Sequence, residues 1–156
     1  MQKVLLEGEQ TQFQRTHADS ELVFLKFRFA ECPVSVSLGV LGKKWALVVL
    51  RDIGIYKKDR FNKLLKSLPG ISPRVLATRL KQLEQIGLIE KVEERKVPSL
   101  VRWSLTKKGI DIIPIIMMIA AYGSKYYPDV VFSDGQPRKL RELLNDEGME
   151  LMYRYF

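Results

Sequence analysis

Arg74, Thr78, Lys81, Gln82 and Gln85 recur at intervals that, at ~100° per residue, bring them to one side of a helix. That side holds cations, amides and a hydroxyl, with no carboxylate. Such groups reach phosphate oxygens. Arginine and glutamine also grip base edges, and each good pair discriminates by ~1–3 kcal/mol. A solvated face of an ordinary amphipathic helix has the same composition, so the neighbouring elements must decide.

The helix is well marked. Ser72 is a cap, Pro73 suits the first helical position, and Gly87 is a stop. Leu76, Leu80 and Leu83 form an apolar stripe on its back. Before it, Leu68-Pro69-Gly70-Ile71 supplies a glycine-containing corner. A helix is predicted ahead of that corner over residues 60–67, capped by Asp59, with Phe61, Leu64, Leu65 and Leu68 on its buried side. After Gly87, residues 88–95 are mostly β-compatible. Lys96-Val97-Pro98-Ser99-Leu100 reads as a hairpin tip, because proline interrupts a sheet. Residues 101–105 resume a strand with alternating faces, and Thr106 caps another helix. Helix, turn, helix, strand, basic hairpin, strand, helix is the order of a winged helix-turn-helix. The expected fold class is mainly α with a small β-hairpin.

In such a fold the second helix of the pair enters the major groove, its first turns nearest the bases. Arg74 and Thr78 are therefore the foremost candidates for base contact, with Gln82 next. Lys81 and Gln85 are placed to approach phosphates, and the Ser72 hydroxyl caps the helix and can reach a phosphate too. Arg79 lies nearer the stripe, either packing at its edge or touching DNA. Arg95, Lys96 and Arg102 sit in or beside the wing, where they can track the backbone or enter a minor groove. The plainer alternative is a charged hairpin kept soluble. Lys57, Lys58 and Arg60 lead into the first helix of the pair, whose N-terminus suits a phosphate. Asn62 is a weaker candidate.

Charge follows the same outline. The 156 residues carry a formal +8. Residues 43–108 hold 17 basic and 6 acidic side chains, a net +11, and the remainder is −3. A uniformly basic surface would not show that asymmetry. The length suits one domain, or one domain with extensions.

Cys32 is the only cysteine, so no internal disulfide forms and a reducing interior is expected. The N-terminal residues carry an acidic break where a signal peptide needs an apolar run. Residues 110–122 are the most apolar stretch, shorter than the ~20 residues of a spanning helix and containing Asp111. They read as a buried helix in a cytoplasmic protein, with no membrane partner. His17 is the only histidine, no spacing suggests a metal site, and no nucleophile has a readable base. The expectation is a non-enzyme without a cofactor. Tyr122, Tyr126, Tyr127, Tyr153 and Tyr155 either line a ligand pocket or pack at an interface.

The remaining elements read less clearly. Residues 22–29 are strand-like, with a helix as the alternative. Residues 34–41 read as a short helix, 42–44 as a turn, and 45–53 as a largely buried helix. Residues 126–137 are turn-rich, and a helix starting at Arg138 continues towards Tyr153.

Several motifs taken together resemble the HxlR-type winged helix-turn-helix regulators. They are Cys32-Pro33-Val34, Gly42-Lys43-Lys44-Trp45, Leu50-Arg51-Asp52 and Arg60-Phe61-Asn62 with Leu64. After them come Leu68-Pro69-Gly70-Ile71-Ser72-Pro73, Arg79-Leu80, Leu83-Glu84, Gly87-Leu88-Ile89, Val97-Pro98 and Ser104-Leu105-Thr106. The resemblance covers roughly residues 32–123 and implies a dimeric transcription factor related in shape to MarR-type proteins. It implies that the first helix and the helix after the wing build the dimer contact. It also implies an oxidant- or electrophile-sensing role for Cys32, against the plainer reading of a buried, inert thiol. A helix N-terminus after Cys32 would lower its pKa, and Glu31 would raise it. Trp103 stands where the family commonly has a smaller residue, and residues 1–31 and 124–156 exceed the compact form.

The expected organisation is an N-terminal extension over 1–31, a DNA-binding domain over 32–123 and a helical C-terminal extension over 124–156. Both extensions are candidates for dimerisation. The expected function is a homodimer binding an inverted repeat in double-stranded DNA, with a small-molecule or oxidant effector possible. A winged-helix protein–protein adaptor and a non-specific architectural or single-strand binder are the alternatives.

Overall fold

Leu76, Leu80 and Leu83 are at most 2 % exposed, so the stripe of the capped helix is the seam on which the fold closes. The computed structural model describes residues 29–96 and 99–154. The strand-like segment at 22–28 and the hairpin tip at Val97 and Pro98 lie outside the described residues. The chain divides between Val36 and Ser37. Of the first part, residues 29–36 are described, all exposed, and they include Cys32 and the start of α1 (Pro33–Leu41).

In the second part, α2 (Ala46–Gly54) runs through the centre, with Ala46, Val49 and Leu50 wholly buried. Its β-branched valines are accommodated because tertiary packing outweighs their modest propensity. Trp45, expected as the first helical residue, instead precedes the helix with φ 77°. Helices α3 (Phe61–Ser67) and α4 (Pro73–Gln85) follow, joined by a turn in which Gly70 takes φ +88°. A left-handed residue there needs glycine. The buried Asp52 fixes α2 to the end of α3. It accepts from the Arg51 guanidinium at 2.8 and 2.7 Å and from the Ser67 hydroxyl at 2.5 Å. Burial of a carboxylate is tolerated because these donors replace water.

Strands β1 (Ile89–Lys96) and β2 (Ser99–Leu105) pair antiparallel from Ile89 opposite Leu105 to Lys96 opposite Ser99. Val92 is the extra residue of a bulge between Lys91 and Glu93, which sharpens the local twist. Trp103, at 9 % exposure, points from β2 into the core. Thr106 caps α5 (Lys107–Ile110), accepting from the Gly109 N–H at 3.1 Å.

Two expectations about the later helices need correction. The apolar run from Ile110 is not one buried helix. It breaks at Asp111 and resumes as α6 (Ile113–Tyr126), because Pro114 lacks an N–H and belongs in a first helical turn. Only one side of α6 is covered: Ile113 and Ile116 are buried, while Ile115, Met118, Ile119 and Tyr122 are exposed. After α7 (Pro128–Val131), the expected C-terminal helix is split into α8 (Leu140–Leu143) and α9 (Asp146–Tyr153). Leu144 is extended, and Asn145 starts a new helix by accepting from the Gly148 N–H at 2.9 Å. The segment is clasped to α6 by Ser124, which is 1 % exposed. Its hydroxyl donates to the Arg138 carbonyl at 2.8 Å and accepts from the Arg138 N–H at 3.1 Å.

Among the described residues, no single helix is long and apolar enough to cross a membrane.

Candidate nucleic-acid interface

Burying three leucines on α4 forces the opposite side outward, and Arg74, Thr78, Lys81, Gln82 and Gln85 are all exposed there. Ser72 caps the helix, accepting from the Val75 N–H at 3.3 Å, and no acidic residue occupies the first turn. The positive end of the helix dipole is therefore uncompensated from within, beside Arg74. The Thr78 hydroxyl donates to the Arg74 carbonyl at 2.9 Å. Its oxygen keeps acceptor capacity and its methyl group remains for contact with thymine. Arg79 is half-buried, and its Nη1 donates to Gln82 Oε1.

The hairpin is tied to the helix pair through Asp59. The Trp103 N–H donates to the Asp59 carbonyl at 2.8 Å, and Arg60 and Arg102 form an antiparallel bridge. Residues 59–60 thus add a short third rung beside β2. Asp59 was expected to cap α3, yet Arg60 is the residue at that position and no side chain caps it. The Asp59 carboxylate is drawn instead to two cations. It accepts from Lys63 Nζ at 2.9 Å and from Arg102 Nε at 2.7 Å. Lys63 foremost, with Arg102, holds its pKa down at about 2. Asp59 in turn raises the pKa of Arg102.

Two of the wing cations expected to meet DNA, Arg95 and Arg102, are already paired. Arg102 also donates to Glu93 at 3.5 Å, and Arg95 pairs with the same Glu93 at 2.6 Å. Lys96 lies at the end of β1, but its side chain is outside what the structure describes. Arg60, Lys63 and Lys66 present exposed side chains on or just before α3. The structure brings Ser72, Arg74, Thr78, Lys81 and Gln82 together on one element. Arg60 and Arg102 are neighbours through the bridge, and Arg95 joins them through Glu93.

Sequence reasoning missed the Asp59 hub. The Asp59–Lys63 spacing of four was a readable signal, whereas Arg102 lies 43 residues away. Trp103, Phe61, Leu80 and Ala77 floor a shallow groove between α4 and the hairpin, with Lys81 and Lys91 at its edges. The tyrosines Tyr122, Tyr126 and Tyr127 cluster on α6 and just beyond it, with ring centroids 4.8 and 6.2 Å from Tyr122. All three are exposed. Among the described residues, no group of three His, Cys, Asp or Glu side chains could hold a metal ion.

Cys32, before α1, is exposed. Hydrogen bonds from the Ser35 backbone and side chain, then from the Val34 backbone, lower its pKa from the ordinary thiol value. This is the direction expected of a helix N-terminus.

A family model described as HxlR-like helix-turn-helix matches residues 40–130. The chain belongs to the HxlR-like family. It therefore carries the helix-turn-helix DNA-binding domain of transcription regulators. YdeP of Bacillus subtilis (strain 168), an HTH-type transcriptional regulator, is 37 % identical over 98 residues, 63 % of this chain and 76 % of that protein. A MarR-family transcriptional regulator from Porphyromonas gingivalis W83 superposes with a TM-score of 0.55 at 34 % identity. That likeness covers 65 % of this chain and 99 % of the other. The redox regulator HypR in its oxidized form gives a TM-score of 0.54 at 34 % identity, covering 59 % and 94 %. The HxlR-like match begins after Cys32 and ends before α8, so both lie beyond the shared range.

Proposed function

We propose that this HxlR-like chain is a homodimeric, sequence-specific regulator that reads an inverted repeat in duplex DNA. In this reading Arg74, Thr78 and Gln82 face base edges from α4 in the major groove, while Ser72 and Lys81 hold phosphates. Arg60, Arg95, Lys96 and Arg102 follow the neighbouring backbone. One observation carries it: the exposed face of α4 bears no carboxylate while its back is sealed into the core. In this reading the chain acts beside the DNA it regulates, in the cytoplasm.

Dimerisation is supported by the uncovered apolar residues of α6, Ile115, Met118, Ile119 and Tyr122. Val34, Val36 and Leu38 of α1 are likewise exposed. We assign residues 32–123 to the DNA-binding domain and give the flanking segments a part in pairing two protomers. Regulation by an oxidant or small molecule acting at Cys32 is supported by its exposure and lowered pKa, and by the named role of HypR.

Footprinting of a genomic fragment library against random competitor DNA tests the reading. Two protected half-sites, with centres one helical turn or ~34 Å apart or a multiple of it, are expected. Absence of any footprint favours a protein–protein adaptor, and uniform protection favours an architectural binder. Mass spectrometry after diamide or quinone treatment, with DNA affinity measured alongside, tests the thiol. No adduct and an unaltered affinity would remove it.

A further inference from the structure

We propose that Arg79 sets which hydrogen-bonding edge Gln82 offers to DNA, acting as a positioning residue for sequence choice without touching DNA itself. The inference rests on α4 being the DNA-reading helix. Arg79 stands at the border of the two faces of α4. It is half-buried, whereas Arg74, Thr78, Lys81 and Gln82 are exposed. Its Nη1 donates to Gln82 Oε1, three residues on, where helix geometry makes side chains neighbours. Its Nε is buried and finds no partner among the described residues. The guanidinium is thus held at the edge of the core with one arm on the glutamine.

The consequence follows from hydrogen-bond capacity. A guanidinium has donors and no acceptor, so the amide atom facing it must be oxygen. The reverse orientation would press the NH2 group against another donor. The usual two-fold ambiguity of a glutamine amide is removed by chemistry. A glutamine free to turn offers either end, accepting from a cytosine or adenine amino group or donating to a purine N7. Held by Arg79, Gln82 turns its amino group outward. The bond to a cation also polarises the amide and strengthens that donor. Gln82 then reads an acceptor edge, with guanine N7 and O6 the best match in the major groove.

Selection from a random duplex library, sequenced to give preference at each position, tests the assignment on the full chain. Wild type is expected to favour guanine at one base pair of each half-site by roughly tenfold. Gln82→Ala and Arg79→Met should each flatten that same position to under about threefold, the double variant no further, with other positions unchanged. Circular dichroism checks that Arg79→Met folds. If it does not, Gln82→Glu carries the test, because the carboxylate presents acceptors and should move that position to cytosine. An Arg79→Met profile that keeps the wild-type guanine preference, or a Gln82→Glu profile that does so, overturns the proposal. A wild-type protein that enriches no sequence would instead refute the reading of α4 itself.

Discussion

Replacing Asp59 by Asn removes one charge and keeps the shape of the group that ties Lys63 and Arg102 together. Stability and DNA binding should then move in opposite directions. Asp59 is 17 % exposed at the side chain, and its partners Lys63 and Arg102 are 51 % and 44 % exposed. The carboxyl falls from its ordinary 3.8 to about 2. Linkage caps the associated stability at ~2.5 kcal/mol, and solvent screening of the exposed cations brings it near ~1 kcal/mol. A loss of that size lowers Tm by roughly 2–4 °C in a domain of this length. Because the folded-state pKa is depressed, the contribution is complete above the unfolded value near 4 and disappears as pH falls towards about 2. The Tm gap between wild type and Asp59→Asn should therefore close over that interval. On DNA the released cations should act as about one further phosphate contact, steepening the salt slope by about 0.9. The ratio of variant to wild-type affinity should then change about 3.5-fold between 50 and 200 mM salt, favouring the variant at low salt. Fluorescence anisotropy on a labelled duplex, with thermal melts across pH, measures both. An unchanged salt slope, or a Tm gap that persists undiminished down to about pH 2.5, would refute the reasoning.

Arg74→Ala should relax base preference, whereas Lys81→Ala should weaken all sequences alike and lower the salt slope by about one. Equal losses on specific and random DNA for Arg74→Ala would contradict its role. Ser124→Ala removes both hydrogen bonds to the Arg138 backbone and should cost ~1–3 kcal/mol. Faster limited proteolysis within residues 126–138 would show the clasp opening. In Gly109→Ala the new Cβ would lie 2.0 Å from the Leu88 carbonyl oxygen. A backbone atom cannot swing aside, so denaturant unfolding should register a loss of about 3 kcal/mol.

The helix pair was legible because several local signals agree on each element. Ser72, Pro73 and the three leucines of α4 each have one local physical reading, and Thr106 caps as its neighbours suggest. The pairing of the wing cations was hidden, because it depends on which side chains the hairpin folds against. Lys63 reaches Asp59 from four residues further on, but Arg102 reaches it from 43 residues further on. The C-terminal break escaped notice for a different reason. Asn145 follows a leucine stripe that fits helical spacing, and only the extended backbone at Leu144 turns it into a cap. The Arg79–Gln82 contact was within reach of spacing alone, but spacing does not say which amide atom faces the guanidinium.

The rung formed by residues 59–60 against β2 has a mechanical consequence. With main-chain bonds at Asp59 and Arg60 and ion pairs beside them, the flap is spliced to the front of α3. Swinging it aside alone would break that splice, so flap and α3 travel as a single rigid piece. In the proposed homodimer, operator choice would then be tuned by the distance between two such pieces, and inserting or deleting base pairs between half-sites should be punished more heavily than changes beneath the flap.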